Sequence, residues 1–237
     1  MKITLKNKIA IHKLQNLNRD TIEYASSIIT PGMTLVELRR LCEAFMLSHG
    51  ADSFWYWDVG AFVFSGDKTK LSVSGRDYIT DKISIQENDI ITIDLSPQNN
   101  CIWGDYARTL IVENGSVVRN IGQIQNTEWQ NGLNAENHLH NSMLNFVNKN
   151  TTFEELFCYM NNEIKSLGYI NLDFLGNLGH SIEKEKNQRI YIEKGNKEKL
   201  SSVTAFTFEP HISSQNSRYG FKKENIYSFD KGNLIEL

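Results

Sequence analysis

Apolar residues recur at three- and four-residue intervals through residues 13–30, and this spacing predicts an amphipathic helix. The segment "PGMTLVELRRLCEAFMLSHG" then reads as a turn and a second helix, with Thr34 and Glu37 at the separation of a capping box. The pattern changes after that. Residues 53–64, "SFWYWDVGAFVF", are aromatic and β-prone, and the apolar runs at 89–96 and 105–113 predict a strand pair. A further helix is predicted over 126–148.

The helical pattern then returns in "NTTFEELFCYMNNEIKSLGY". Thr152 stands for Thr34, Glu155 for Glu37, Leu156 for Leu38 and Gly168 for Gly50, each pair 118 residues apart. A constant offset predicts two related halves, about 13–115 and 126–237, within a single domain spanning 1–237. The segments after the two helices are also alike. In the first half an apolar strand carries Asp94, and Asp105 comes next in "WGDYARTL"; in the second, "VTAFTFEPHI" carries Glu209, and Glu224 comes next in "YGFKKENIYSF". The offsets are 115 and 119.

Two half-sheets related by a pseudo-twofold would bring these four carboxylates to one seam. There they would repel one another, and burying even one costs several kcal/mol or more without a partner, so cations are expected between them. His180, after the glycine-rich turn in "LDFLGNLGHSIE", reaches the same seam. Four carboxylates and one imidazole suit one or two divalent transition ions such as Mn, Fe, Co or Zn.

Composition narrows the partner class. With 237 residues and 40% hydrophobic content the chain can bury a sizeable core. Its 25 basic and 28 acidic side chains leave a net charge of −3, which argues against nucleic acid or an anionic membrane as partner. The opening "MKITLKNKIAIHKLQNLNRD" contains neither the apolar core of a signal peptide nor a membrane span, so a cytoplasmic protein is expected. Cys42, Cys101 and Cys158, odd in number and widely spaced, speak against a disulfide framework or a zinc knuckle and are expected as buried reduced thiols.

Five ordered blocks carry a resemblance: "TIDLSP" with Asp94, "GDYARTL" with Asp105, "GNLGHSIE" with His180, "FTFEPHI" with Glu209 and "KKENIYSF" with Glu224. In these the chain resembles the methionine aminopeptidase and X-Pro peptidase superfamily, from about residue 15 to its end. The resemblance implies an α+β pita-bread fold, two pseudo-twofold-related halves with a curved antiparallel sheet covered by helices. It implies two divalent metal ions, Asp105 and Glu224 bridging both, Asp94 completing one and His180 with Glu209 the other. Glu209 would be the proton shuttle. Arg108 and Lys222 would orient the ligand carboxylates, surface salt bridges being the alternative. The implied partner is a peptide or small amide, with a homodimer as a further option.

Two departures bear on substrate. Peptidases of the superfamily carry one histidine ahead of the first ligand aspartate and another after the ligand histidine; here those stretches read "SVSGRDY" and "EKNQRIY". Arg76 or Arg189 would then contact a substrate carbonyl or carboxylate, and His211 would supply an imidazole as an alternative catalytic base. The aromatic cluster around Trp55 and Trp57 would wall a side-chain pocket or simply pack in the core. The run "EKEKNQRIYIEKGNKEK" reads as a solvated loop edging the cleft. His138 and His140, two apart on a helix, face different sides and are expected at or near the surface, and His12 and His49 have no role.

Three functions are compatible with these residues. The first is a dinuclear metallohydrolase acting at the amino end of short peptides, as an aminopeptidase or X-Pro-type peptidase. The others are a creatinase-like hydrolase of another C–N bond and a catalytically silent module that binds a protein or peptide.

Overall fold

The computed structural model describes residues 5–237, with side chains from residue 7 onward, so the first residues of the amino-terminal segment lie outside the description. Four helices carry the helical patterns: α1 (Leu5–Ile28), α2 (Leu35–Ser48), α3 (Thr127–Phe146) and α4 (Phe153–Ser166). Helix α1 begins earlier than the sequence pattern predicts because Ile11 is buried in a small cluster with Trp55, Trp103 and Ile226. Contacts from distant segments supply there the apolar face that local spacing does not display.

The strands of the first half are β1 (Ser53–Phe54), β2 (Ala61–Ser65), β3 (Asp89–Leu95), β4 (Pro97–Asn99), β5 (Ile102–Trp103), β6 (Tyr106–Glu113) and β7 (Ser116–Val117). Those of the second are β8 (Tyr169–Asn171), β9 (Phe206–Phe208), β10 (His211–Ser214), β11 (Phe221–Lys222), β12 (Asn225–Asp230) and β13 (Asn233–Glu236). Antiparallel pairing builds a four-stranded sheet β2-β3-β6-β7 and three-stranded sheets β13-β12-β9, β11-β10-β8 and β1-β4-β5. The strand bearing Asp94 and the segment bearing Glu209 therefore belong to different sheets. Those sheets touch where Ala107 bridges Glu224, whose N–H donates to the Ala107 carbonyl at 3.0 Å.

Two cores flank this junction. Leu14, Leu17, Leu35, Leu38 and Met46 of α1 and α2 pack on Ile91, Ile93 and Leu95. Leu139 and Met143 of α3 and Leu156 and Met160 of α4 pack on Phe206, Phe208, Ile212 and Tyr227. Ile90 belongs to the second core, so β3 is buried on both faces, which is why it reads as a continuous apolar run rather than an alternating one. Thr34 caps α2 by accepting from Glu37 N–H at 3.2 Å, half of the expected box, whereas Thr152 and Glu155 complete the reciprocal pair on α4.

All three cysteines are free, but only Cys42 is buried. Cys101 lies in the turn between β4 and β5 at φ 60, and Cys158 faces outward on α4, where Leu156, Met160 and Ile164 form the buried stripe. The expectation of three buried thiols is corrected accordingly. Among the described residues no helix is long and apolar enough to cross a membrane.

Candidate metal centre

Each acid reaches the junction by a separate backbone device. Asp94 sits on β3, paired with Phe62 on one side and Ala107 on the other, and the strand period turns its side chain into the seam. Asp105 precedes β6 and is clamped by the buried Gln15 of α1. The Gln15 Nε2 donates to the Asp105 carbonyl at 3.0 Å, and its Oε1 accepts the Asp105 N–H at 3.2 Å. Asn18 donates in turn to that Oε1 at 2.9 Å, fixing which end of the amide is which.

The second half is as tightly held. Gly179, at φ +137, brings the chain so close to β9 that a Cβ there would stand 2.3 Å from the Thr207 carbonyl oxygen. That approach lets His180 N–H donate to Thr207 Oγ1 at 3.0 Å and Thr207 N–H donate to the His180 carbonyl at 2.7 Å. The Thr207 hydroxyl reaches Glu209 Oε1 at 3.4 Å. Arg108 donates to the Ala107 and Glu224 carbonyls at 2.7 and 2.8 Å and to Asn225 Oδ1 at 2.7 Å. It therefore secures the backbone beneath Glu224 and touches none of the site carboxylates, which corrects its expected role.

Oxygens of Asp94, Asp105 and Glu224 lie within 4.8 Å of one another. Glu224 is 1% exposed and, among the described residues, neither of its carboxylate oxygens has a hydrogen-bond partner. His180 donates from Nδ1 to the Ser181 carbonyl at 3.1 Å, so Nε2 carries the lone pair. That nitrogen faces Asp105 Oδ2 at 3.6 Å and Glu209 Oε1 at 3.8 Å, separations too long for hydrogen bonds. The rings of Trp55, Trp103 and Tyr191, with centroids 5.7 to 5.9 Å away, enclose the imidazole.

The electrostatics of this arrangement are unfavourable as it stands. Burial, and then the charges of Asp94 and Glu209, push Asp105 well above the usual carboxylate range. Burial followed by Asp105 and Glu209 does the same to Glu224. Burial raises Asp94 while Lys222 opposes the rise. Burial, assisted by Arg189, drives His180 well below an ordinary histidine and keeps it neutral. Convergent carboxylates, a neutral imidazole with its lone pair inward and an orphaned buried carboxylate together suit a divalent cation.

A cavity opens over these groups, walled by Trp55, Phe62, Phe64, Leu71, Arg189 and Tyr191, with Asp94, Asp105, His180, Glu209, His211 and Lys222 also in its lining. Of the residues expected to meet substrate, Trp55 and Arg189 line it. Trp57 and Arg76 do not: Trp57 is 42% exposed, and Arg76 and Lys186 lie over its ring at 4.6 and 4.5 Å, a surface cation–π group. His211 is buried, and its Nε2–H donates to the Thr69 carbonyl at 2.7 Å. Burial lowers it to about 4, so it is neutral at pH 7 with one ring nitrogen already committed. His140 is buried rather than superficial; it donates to the Lys223 carbonyl at 3.0 Å and bonds the Tyr227 hydroxyl at 2.7 Å.

Lys222 enters the site directly, with Nζ 2.6 Å from Asp94 Oδ2 and 3.1 Å from Glu209 Oε2. Its place two residues before Glu224 is the signal available in the sequence, because neighbours at that spacing share a strand face. Gln15 and Trp103, and Asp173, which also lines the cavity, come from separate segments and carry no comparable signal.

The model of metallopeptidase family M24 matches residues 10–230. The chain is 26% identical over 215 residues to the methionine aminopeptidase of Helicobacter pylori (strain ATCC 700392 / 26695), covering 86% of this chain and 78% of that protein. Among solved structures it is similar to the X-Pro aminopeptidase of Thermotoga maritima MSB8, with a TM-score of 0.81 at 19% identity over 100% of this chain and 62% of that one. It is also similar to the methionine aminopeptidase of Rickettsia prowazekii, with a TM-score of 0.73 at 15% identity over 100% of this chain and 98% of that one. The chain thus spans about three fifths of the X-Pro aminopeptidase and nearly all of the Rickettsia protein. These likenesses establish the α+β pita-bread fold. With its family match over most of its length, the chain belongs to metallopeptidase family M24.

Proposed function

We propose that this chain is a divalent-metal-dependent peptidase, an aminopeptidase or X-Pro-type enzyme acting at the amino end of short peptides. The observation that carries the reading is the Glu224 carboxylate, buried beside oxygens of Asp94 and Asp105 with neither of its own oxygens hydrogen-bonded among the described residues. A group so placed is costly unless a cation completes it. Asp94, Asp105, His180, Glu209 and Glu224 would hold the metal, with Mn, Fe, Co and Zn all compatible with the donor set. When bound, such an ion polarises a scissile carbonyl and makes water acidic enough to supply hydroxide near neutral pH.

The chain's own side chains supply the rest. Glu209 faces both His180 and Lys222 with its two oxygens and lines the cavity, so it is the group positioned to take and return a proton. His211, with Nε2–H tied to Thr69, contacts substrate in this reading rather than acting as base. Phe62, Phe64 and Leu71 receive an apolar side chain, and the walls exclude water from the cut bond. Arg189, its guanidinium over Trp55 and Tyr56 at 4.9 and 5.7 Å, has no acidic partner among the described residues and is available to a peptide carboxylate. One catalytic unit with related halves at 13–115 and 126–237 is supported by Thr34 and Thr152, each an N-cap and each bridged to a later strand-like segment at Ser84 and Lys199.

The test is turnover by the metal-loaded chain, with its metal identified by elemental analysis, across dipeptides and tripeptides that include Met-first and Pro-second members. Release of the amino-terminal residue from any of them supports the reading, and metal retention without turnover of any refutes it. The Lys222 ammonium among the acids favours a second reading, a silent binding module whose carboxylates are neutralised without metal. Failure of the chain to bind any divalent ion would select that one.

A further inference from the structure

The cation that is already present in the cage divides its ligands unequally. Lys222 lies on β11, its backbone N–H donating to Thr109 Oγ1 at 2.8 Å, and that hydroxyl donates to the buried Glu136 at 2.7 Å. The root of the side chain is therefore anchored from behind. Its ammonium spans the seam, 2.6 Å from Asp94 Oδ2, 3.1 Å from Glu209 Oε2 and 4.0 Å from Glu224 Oε2. Only 18% of the side chain is exposed, so water does little to screen it.

On the His180 side the donors lie farther from it. His180 Nε2 faces Asp105 Oδ2 at 3.6 Å and Glu209 Oε1 at 3.8 Å, and Glu224, which the ammonium approaches only to 4.0 Å at Oε2, accepts no hydrogen bond among the described residues. On the Asp94 side the short contact to the ammonium uses an oxygen that an ion would need. An ion seated there would also lie against a fixed positive charge in a poorly screened site.

We propose that Lys222 takes one of the two cation positions in the cage, so that this chain binds a single divalent ion tightly, on the His180 side, while Asp94 is committed to the ammonium. The proposal rests on the metal-binding reading above and goes beyond it, because it replaces the two ions implied by the family resemblance with one ion and a lysine. Asp105, Glu224, His180 and Glu209 Oε1 form the ion's surroundings, and Asp94 and Glu209 Oε2 those of the ammonium.

The experiment counts metal, not activity. The full chain is stripped with chelator, equilibrated by dialysis against Mn²⁺ and separately Co²⁺ at pH 7.5, and analysed for bound metal per chain. Wild type is expected to hold one tight equivalent. Lys222→Met, which keeps the aliphatic stem and removes the charge, should gain a second, with affinity at that position rising on the order of 10²-fold or more. Lys222→Arg should remain at one. Asp94→Asn should keep its single equivalent, whereas Asp105→Asn should lose it; these two and the wild-type count decide the matter even if Lys222→Met does not fold.

Two tight equivalents in wild type would overturn the proposal while upholding the metal reading, as would one equivalent in both wild type and a folded Lys222→Met. Metal bound by Lys222→Met but not by wild type would also overturn it, in favour of complete blockade. No metal in any of these proteins would overturn the metal reading itself, and this proposal with it.

Discussion

Replacing Glu224 by Gln should stabilise the metal-free protein, and the gain should grow with pH. Glu224 is 1% exposed, neither oxygen is hydrogen-bonded, and burial together with Asp105 and Glu209 holds its carboxyl well above the ordinary value of 4.5. A carboxyl with a raised folded-state pKa contributes its full share of stability below pH 4.5 and loses it as pH rises toward the folded value, since the native state holds a proton that the unfolded chain has released. At 1.36 kcal/mol per pH unit, the ceiling on that loss between pH 4.5 and 7 is about 3 kcal/mol. Gln cannot ionise, so its stability lead over wild type should widen by up to about 3 kcal/mol across this interval. Taking the difference between the two proteins removes most of the opposing contribution from His180 and His211, which are held neutral and favour folding as pH rises toward 6.5. The assay is urea unfolding of both proteins in chelator at pH 5, 6 and 7. Saturating Mn²⁺ should then reverse the order, since an ion at about 1,000 times its dissociation constant adds about 4 kcal/mol to the protein that binds it. A Glu224→Gln protein no more stable than wild type at pH 7 in chelator, or a difference unchanged at pH 5, would contradict this.

The same geometry sets the outcome of other substitutions. Glu209→Gln retains an oxygen toward His180 but loses its basicity, so turnover should fall on the order of 10² to 10⁴ while elemental analysis still finds metal. Near-normal turnover with metal bound would rule out the shuttle role. Gly179→Ala places a Cβ 2.3 Å from the Thr207 carbonyl oxygen at φ +137, and should cost more than about 2 kcal/mol in urea unfolding and weaken metal retention by displacing His180. Thr152→Ala removes a complete capping box and should cost about 1 kcal/mol, more than Thr34→Ala, which breaks a single cap bond; equal losses by thermal melt would contradict this.

Much of the site is legible in the sequence because its donors lie in short blocks with regular period. Asp94 is one polar position in a run buried on both sides, and such a residue needs a reason that local sequence can pose. Glu209 and Glu224 stand at nearly the same offset from Asp94 and Asp105 in a second copy of that pattern, and the capped helices at Thr34 and Thr152 share its spacing. The residues that complete the site are not legible in that way. Gln15 clamps Asp105 from a helix 90 positions away, and Trp103 packs on His180 from the other half of the chain; neither has a neighbour in sequence that announces its task. Trp57 and Arg76 have the composition of pocket residues and are a surface cation–π group, because aromatic composition says that a ring will be covered without saying by what.

The sequence by itself therefore determined the candidate acids and His180, the capped helices and apolar strands around them, and the family to which the chain belongs. All three rest on local spacing and on the cost of putting acids into apolar strands, both of which act within a few residues. Only the tertiary structure decided how those donors are shared among cations. Lys222 could have been a solvated partner of a neighbouring acid; instead the meeting of β6 with Glu224 draws its ammonium between Asp94 and Glu209, 128 and 13 residues away in the chain. Distance in space sets electrostatic energy, and sequence separation does not record it.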